Sequence, residues 1–387
     1  MTVDLARDTI FVTLAGSHAH GTSHATSDVD VRGVCIAPLE TRLSLFRSFE
    51  QAEGGPDILA PTVLEKLSAA QPLASSAPKI EAVVFDLAKF LGLCAAANPN
   101  ALEILFADER DWLFETPLWR DIHDRRRLFL SKKVQSTYLG YAMAQLKKIR
   151  THRQWLLTPP PARPTRAEFG LPDESTLSRD DQQRIDQSVA DKIRSYGLDS
   201  LEIPDPLRAA IVERVSRMMA DALRVDEAEV DDAVRGVAVQ ALRLPPQVVD
   251  TLAAERKYRS ALRHWDSYET WRATRNPARA ELERAHGYDT KHAMHLLRLM
   301  HTGLELLETG ELSVRRSNAA DLLAIRNGAL DYDELLEHAT YLETRMRAAA
   351  ATSALPDDVD HDAVDRLAFE ALRRWQRPDE DESLSSA

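Results

Sequence analysis

Thr9-Ile10-Phe11-Val12-Thr13-Leu14-Ala15-Gly16-Ser17-His18-Ala19-His20-Gly21-Thr22-Ser23-His24-Ala25-Thr26-Ser27-Asp28-Val29-Asp30-Val31-Arg32-Gly33-Val34-Cys35-Ile36 is the stretch on which the reading of the fold turns. Its first part, Thr9 to Ala15, is β-branched and apolar and stops at Gly16, the pattern of a buried strand feeding a turn. Val29 to Ile36 reads as a second strand. Asp28 and Asp30 flank Val29 where that strand begins, and because side chains alternate along a strand both carboxylates should point to one face. Two like charges side by side repel unless a cation joins them, and Mg²⁺, a hard ion that prefers carboxylate and phosphate oxygens, is the natural candidate. The plainer reading of the pair is acids capping a turn at a strand entrance. Gly16 lets the backbone turn sharply, and Ser17 with free amides at a helix start can hold terminal phosphates; the plainer reading is an N-cap by Ser17.

Moving outward, Ile80 to Phe85 reads as a third strand leading into a helix over Leu87 to Ala97. Asn98-Pro99-Asn100 then starts another helix, with Asn98 as cap and Pro99 at the first position. Val134 to Trp155 predicts a long amphipathic helix with Lys147, Lys148, Arg150, His152 and Arg153 near its end, where positive charge complements the helix dipole. A polar, proline-rich stretch beginning at Thr158 connects to a region that is almost entirely helical in pattern: Ile211 to Leu223, Glu255 to Trp271, Pro277 to Ala285, Thr290 to Glu308, Ala319 to Ile325 and Tyr332 to Ala349. The expected class is α+β: a small mixed-sheet domain with trailing helices over residues 1–157, a connection over 158–206, a helical substrate-binding domain over 207–376 and a disordered acidic tail over 377–387.

The chain of 387 residues is long enough for two packed domains. Its formal charge of −12 argues against coating nucleic acid by bulk electrostatics and leaves room for a local basic site. Two widely separated cysteines, Cys35 and Cys94, offer neither a disulfide framework nor a CxxC zinc site and fit a reducing cytoplasm. Asp4 and Asp8 interrupt any signal-peptide pattern, and no apolar run approaches membrane-spanning length, so no membrane partner is expected.

The run Gly16-Ser17 … Ser27-Asp28-Val29-Asp30-Val31-Arg32-Gly33 resembles the GS…DxD signature of the DNA polymerase β superfamily of nucleotidyltransferases. Its ending is similar to the branch associated with RNA ligases in RNA-repair operons, and Asn98-Pro99-Asn100-Ala101-Leu102-Glu103, Arg275-Asn276-Pro277-Ala278-Arg279 and Gly287-Tyr288-Asp289-Thr290-Lys291-His292-Ala293 look like the same branch. The resemblance implies transfer of an NMP from an NTP, such as ATP, to an acceptor hydroxyl with release of pyrophosphate. It implies two Mg²⁺ ions, for which Mn²⁺ can substitute, held by Asp28, Asp30 and a third acid on a neighbouring strand. Glu81 is the better placed for that role and Asp86, of opposite strand parity, suits a helix cap; the superfamily usually has Asp there, so a Glu departs from its pattern. Gly16 and Ser17 would hold the β/γ-phosphates.

In the C-terminal motif Lys291, His295 and Arg298 fall on one helical stripe, opposite Leu297, Met300, Leu304 and Leu307. That stripe is either a solvated face or a grip on triphosphate or acceptor across an interdomain cleft, with Tyr288 and Asp289 as candidates to orient a base or, for Asp289, to cap the helix. RNA is the acceptor the resemblance favours, with an RNA ligase as functional associate. A protein hydroxyl, as in antitoxin-type AMP-adding relatives, and a decayed nucleotide- or RNA-binding module are the alternatives. No Walker loop and no His-Arg-Asp or Asp-Phe-Gly set supports a kinase.

Overall fold

The computed structural model describes residues 3–24, 27–70, 79–172, 187 and 246–376. Contacts group the chain into two compact units, residues 1–157 together with 278–387, and residues 158–277. The first unit opens with α1 (Leu5–Asp8), β1 (Thr9–Ala15), α2 (Gly16–His20) and β2 (Val29–Cys35). Next come α3 (Leu39–Arg42), β3 (Gln51–Gly54), α4 (Pro61–Ala70) and β4 (Ile80–Asp86). They are followed by α5 (Leu87–Ala95), α6 (Pro99–Leu105), β5 (Trp112–Glu115), α7 (Pro117–Asp124) and the long α8 (Lys133–Leu157). The second unit contributes α9 (Pro246–Thr274). The chain returns to the first unit through α10 (Pro277–His286), α11 (Thr290–Thr309), α12 (Ala319–Arg326), α13 (Tyr332–Thr352) and α14 (His361–Gln376).

The five strands form one sheet in the order β3-β4-β2-β1-β5. β2 and β4 run parallel and the other pairings are antiparallel, so the sheet is mixed and the class is α+β. Strand alternation sorts β2 cleanly: Val29 and Val31 enter an apolar layer with Val63 and Leu67 of α4, while Asp30 and Arg32 are left half-buried on the opposite face. The other side of the sheet belongs to the main core, in which Phe11 stacks on Trp119 with ring centroids 3.9 Å apart.

Helix starts follow the caps. Asp86 accepts from Ala88 N to open α5, and Asn98 accepts from Asn100 N and Ala101 N with Pro99 at the first position of α6. The two edge strands β3 and β5 and the amphipathic α7 and α14 are additions to what the pattern predicts; each strand is only four residues long, too short for an alternation to register.

The contact grouping differs from the expected division at 207. Residues 278–376 share a core with the N-terminal elements because Leu297, Met300 and Leu304 of α11 enter the same apolar cluster as Tyr138 and Leu146 of α8. Gly303 allows this close approach: a Cβ there would stand 3.0 Å from Tyr138 Cβ and 2.6 Å from Met346 Cε. In the second unit, Arg166 pairs with buried Glu255 of α9 and lies over the Tyr258 ring. The connection beyond Pro172, except Gln187, the helix expected over 211–223 and the acidic tail lie outside the described residues. Among the described residues no helix is long and apolar enough to cross a membrane.

Candidate active site

Sheet register builds the acidic side of the site. Ala15 of β1 stands opposite Asp30 of β2, and Asp30 in turn stands opposite Glu81 of β4, so Asp30 and Glu81 are cross-strand neighbours on one face. Gly16 follows at φ +58°, and a Cβ on it would lie 2.2 Å from Asp30 Oδ2; only glycine gives the carboxylate its place against the turn. Arg32 Nη2 donates to Asp30 Oδ1 at 3.1 Å, and Lys79 Nζ donates to Glu81 Oε1 at 2.5 Å. This lysine, against a small opposing effect of burial, holds the Glu81 carboxyl below its ordinary value. Asp28 is exposed just before β2. Asp30 and Glu81 stand in register with Asp28 two residues upstream, but the ligating side chains that come close enough together to hold one metal ion among the described residues are His152, Asp289 and His292 and not these acids. Asp86 is otherwise engaged: it is buried, caps α5 and pairs with Arg42 Nη2 at 2.5 Å. Ser17 is not a cap; it lies inside α2, whose N-cap is Ala15 with no side-chain hydrogen bond.

A cavity of about 610 Å³ opens beside this face, and Gly16, Asp30 and Arg32 share its lining with Lys291, His295 and Arg298 of α11. The stripe on α11 is therefore not a solvated face, and both sides of the cavity belong to one compact unit rather than to two domains. Burial, then Arg279 and Arg326, push the Lys291 ammonium down while Asp28 and Asp289 pull it back, which places Lys291 within electrostatic reach of Asp28. Burial, then Arg298 and Lys291, push His295 well below its ordinary value and keep it neutral near pH 7. Ser17, Asp28 and Glu81 stand outside the lining of this cavity.

The preceding motif serves α11 itself. Asp289, fully buried, caps the helix by accepting from His292 N, and its Oδ2 also takes His152 Nδ1 at 2.9 Å and Arg279 Nη2 at 2.5 Å. His152, Asp289 and His292 lie close enough together to hold a metal ion. The guanidinium of Arg279 already occupies the shared oxygen, however, and a divalent cation there would meet it head on. Tyr288 does not orient a base: its ring is fully buried and its hydroxyl donates to Leu330 O at 2.7 Å. The basic end of α8 is likewise more than a solvated face, since Lys148 lines the cavity and Arg153 donates to Gly287 O at 2.8 Å and lies 4.3 Å from the Tyr332 ring centre.

Sequence reasoning assigned no role to Glu103, His20 or Tyr141, all of which line the cavity. Glu103 accepts from His20 Nε2 at 3.0 Å and from Arg298 Nη1. Tyr141 is partly exposed and its hydroxyl accepts from Asn98 Nδ2 at 2.7 Å. Glu103 ends the Asn98–Glu103 run, which marks a helix start and a family resemblance without giving this residue a role, and Tyr141 and His20 carry no local signal.

Residues 4–157 match the model of the family described as RNA repair pathway DNA polymerase beta family (RlaP), a span that carries Gly16, Asp28, Asp30, Glu81 and Glu103. No curated protein and no solved structure gave a match.

Proposed function

We propose, from the premise that residues 4–157 belong to the RNA repair pathway DNA polymerase beta family, that this protein is an NTP-dependent nucleotidyltransferase acting on an RNA hydroxyl. The observation that carries this reading is the meeting, in one cavity, of Asp30 beside Gly16 with Lys291, His295 and Arg298. A carboxylate facing a wall of partly desolvated cations fits a ligand that brings both a polyphosphate and a metal ion.

In this reading Asp28, Asp30 and Glu81 would hold Mg²⁺. Bound there, two such ions would lower the pKa of the acceptor hydroxyl and neutralise charge on the phosphates, with Mn²⁺ able to replace them. The turn at Gly16 and Ser17 supports the β/γ-phosphates, and Lys291 and Arg298 add positive charge along the wall. His295, kept neutral, donates or accepts one hydrogen bond without adding charge. The acceptor oxygen forms a bond to the α-phosphorus, the bond from that phosphorus to the bridging oxygen breaks, pyrophosphate leaves and the hydroxyl proton passes to water. A functional association with an RNA ligase follows from the same family reading, because nucleotide addition and end joining act on the same RNA termini.

The test is incubation with each of four α-labelled NTPs, Mg²⁺ and total RNA, comparing wild type with Asp28→Ala and Asp30→Ala. Acid-dependent label in nuclease-sensitive material is the expected result. Label that resists nuclease and yields to protease would move the acceptor to a protein hydroxyl, and binding of NTP without any transfer would leave a nucleotide-binding module.

A further inference from the structure

The α6 segment buries Ala101, Leu102, Ile104 and Leu105 in the main core, yet it directs one carboxylate, Glu103, to the cavity. Both oxygens are used: Oε2 accepts from His20 Nε2 at 3.0 Å and Oε1 accepts from Arg298 Nη1. The three side chains come from α6, from the last residue of α2 and from the middle of α11, and all are nearly buried. Burial pushes the Glu103 carboxyl up, but Arg298 and His20 overrule it and hold it well below the usual carboxylate range. Burial, then Arg298, pushes His20 down. Since an ionised carboxylate only accepts, neutral His20 must carry its proton on Nε2, and the ring orientation is thereby set.

A buried ion cluster of this kind is a poor way to gain stability, because well-packed apolar side chains of similar volume do as well or better. What it gives is geometry. The end of α2 is held twice, by Glu103 on the His20 ring and by Arg316 N donating to His20 O at 3.2 Å. Arg298 lines the cavity with its Nε buried and without a hydrogen-bond partner among the described residues. The guanidinium is thus gripped on one edge by Glu103 and left under-satisfied beside the space where a polyphosphate would lie.

We propose that Glu103 is a positioning residue for the phosphate end of the nucleotide site, tying the turn that begins at Gly16 to the helix that carries Arg298 so that both present to one ligand in fixed register. This inference rests on the nucleotidyl-transfer reading above and adds a specific role to a residue distant in sequence from the acid pair.

The experiment is steady-state transfer to total RNA with Mg²⁺ and whichever of the four NTPs wild type uses fastest, at a temperature where circular dichroism shows every variant folded. Glu103→Ala is expected to raise KM for the NTP by about tenfold or more, the cost of losing a hydrogen bond to a charged group, with a much smaller change in kcat. Glu103→Gln is expected to recover most of that loss, since its amide oxygen can accept from Arg298 while its NH₂ donates to His20 in the other tautomer. Should Glu103→Ala not fold, Glu103→Asp replaces it: one methylene short of spanning both partners, it should raise KM in the same direction.

A folded Glu103→Ala or Glu103→Asp with wild-type KM overturns the inference, as does a loss confined to kcat or a Glu103→Gln no better than Glu103→Ala. Asp30→Ala run in parallel separates the two levels. If that variant still transfers, or wild type does not, the nucleotidyl-transfer reading falls and takes the inference with it; if it is dead while the Glu103 variants keep wild-type KM, the positioning role alone falls.

Discussion

The strand that carries Asp30 and the helix that carries Arg298 face the same cavity and hold their charge in opposite ways. On the strand side the acids keep contact with water: the side chain of Asp30 is 29% exposed and that of Glu81 49%. On the helix side Arg298 is 7% exposed and its counter-charge, Glu103, 12%. Exposed carboxylates can exchange hydration for a metal ion at little cost, whereas a buried guanidinium needs a fixed internal partner before any ligand arrives. In the nucleotidyl-transfer reading proposed above, one side would dock a cation and the other would present a preorganised surface to an anion. Variants on the two sides should fail differently, on the strand side through turnover and on the helix side through nucleotide affinity.

The largest effect belongs to the strand side. Asp30→Ala should lower transfer by about 10³-fold, the equivalent of several kcal/mol of lost transition-state stabilisation at a metal site, with the melting temperature nearly unchanged because the side chain is only partly buried. Glu81→Ala should likewise lose activity without losing stability. Asp86→Ala should do the reverse, since it removes the cap of α5 and leaves Arg42 without its partner; about 0.5–2 kcal/mol is expected from the cap alone. Paired activity assays and thermal melts read both quantities. An active Glu81→Ala with an inactive but stable Asp86→Ala would exchange the two assignments.

Gly16→Ala comes next, with loss of activity by about 100-fold. The new methyl would stand 2.2 Å from Asp30 Oδ2, and the backbone at φ +58° costs any other residue roughly 1–3 kcal/mol. The chain can relieve the clash only by moving the carboxylate or the turn, so metal-dependent activity should fall further than the melting temperature does. Equal proportional losses in both would mean that Gly16 serves folding and not the site.

How much of this was legible follows the same divide. β1, α2 and β2 are contiguous, and their alternation, the glycine after the strand and the two acids spaced by one residue can all be read along a single stretch of chain. The same local logic identifies Asn98 and Pro99 as a helix start. The helical wall is not local: Glu103 meets Arg298 across 195 positions and His20 across 83, and nothing in either sequence neighbourhood announces the encounter. Spacing places Lys291, His295 and Arg298 on one stripe but cannot say whether the stripe meets water or a cavity. Tyr288 illustrates the converse, an aromatic in a suggestive motif whose ring the core takes up entirely.

With Tyr288 withdrawn, Tyr141 is the aromatic that sharpens the picture. It lines the cavity on α8, is 37% exposed and has its hydroxyl held by Asn98 Nδ2. If its ring meets the base, Tyr141→Ala should weaken NTP binding by about tenfold, the low-to-middle range for loss of one base–aromatic stack, and Tyr141→Phe should change it little. Titration with a fluorescent NTP analogue distinguishes the two. Equal weakening in both variants would credit the hydroxyl and its Asn98 contact instead of the ring.

The smallest expected effect tests whether the helix side is desolvated as its geometry indicates. Burial pushes His292 down to about 4, against an unfolded value near 6.5, and His295 is pushed in the same direction. Between those two pH values the unfolded chain binds more protons than the folded one, so stability rises with pH across that interval and is lost as pH falls through it. Asp289 and Glu103, whose carboxyls are held low in the folded state, contribute stability that is present above about pH 4 and is lost only under more acidic conditions. The two windows overlap only narrowly, between about pH 4 and 4.5, where the Glu103 carboxyl of the unfolded chain begins to protonate. Lowering pH from 7 to 5 should therefore cost on the order of 1 kcal/mol at His292 after allowance for solvent screening, and His292→Gln should flatten that limb of the melting-temperature profile while leaving the limb below pH 4 in place. An unchanged slope in the variant would mean that water reaches His292, and the contrast between a wet acid side and a dry cationic side would be weaker than the burial of these side chains indicates.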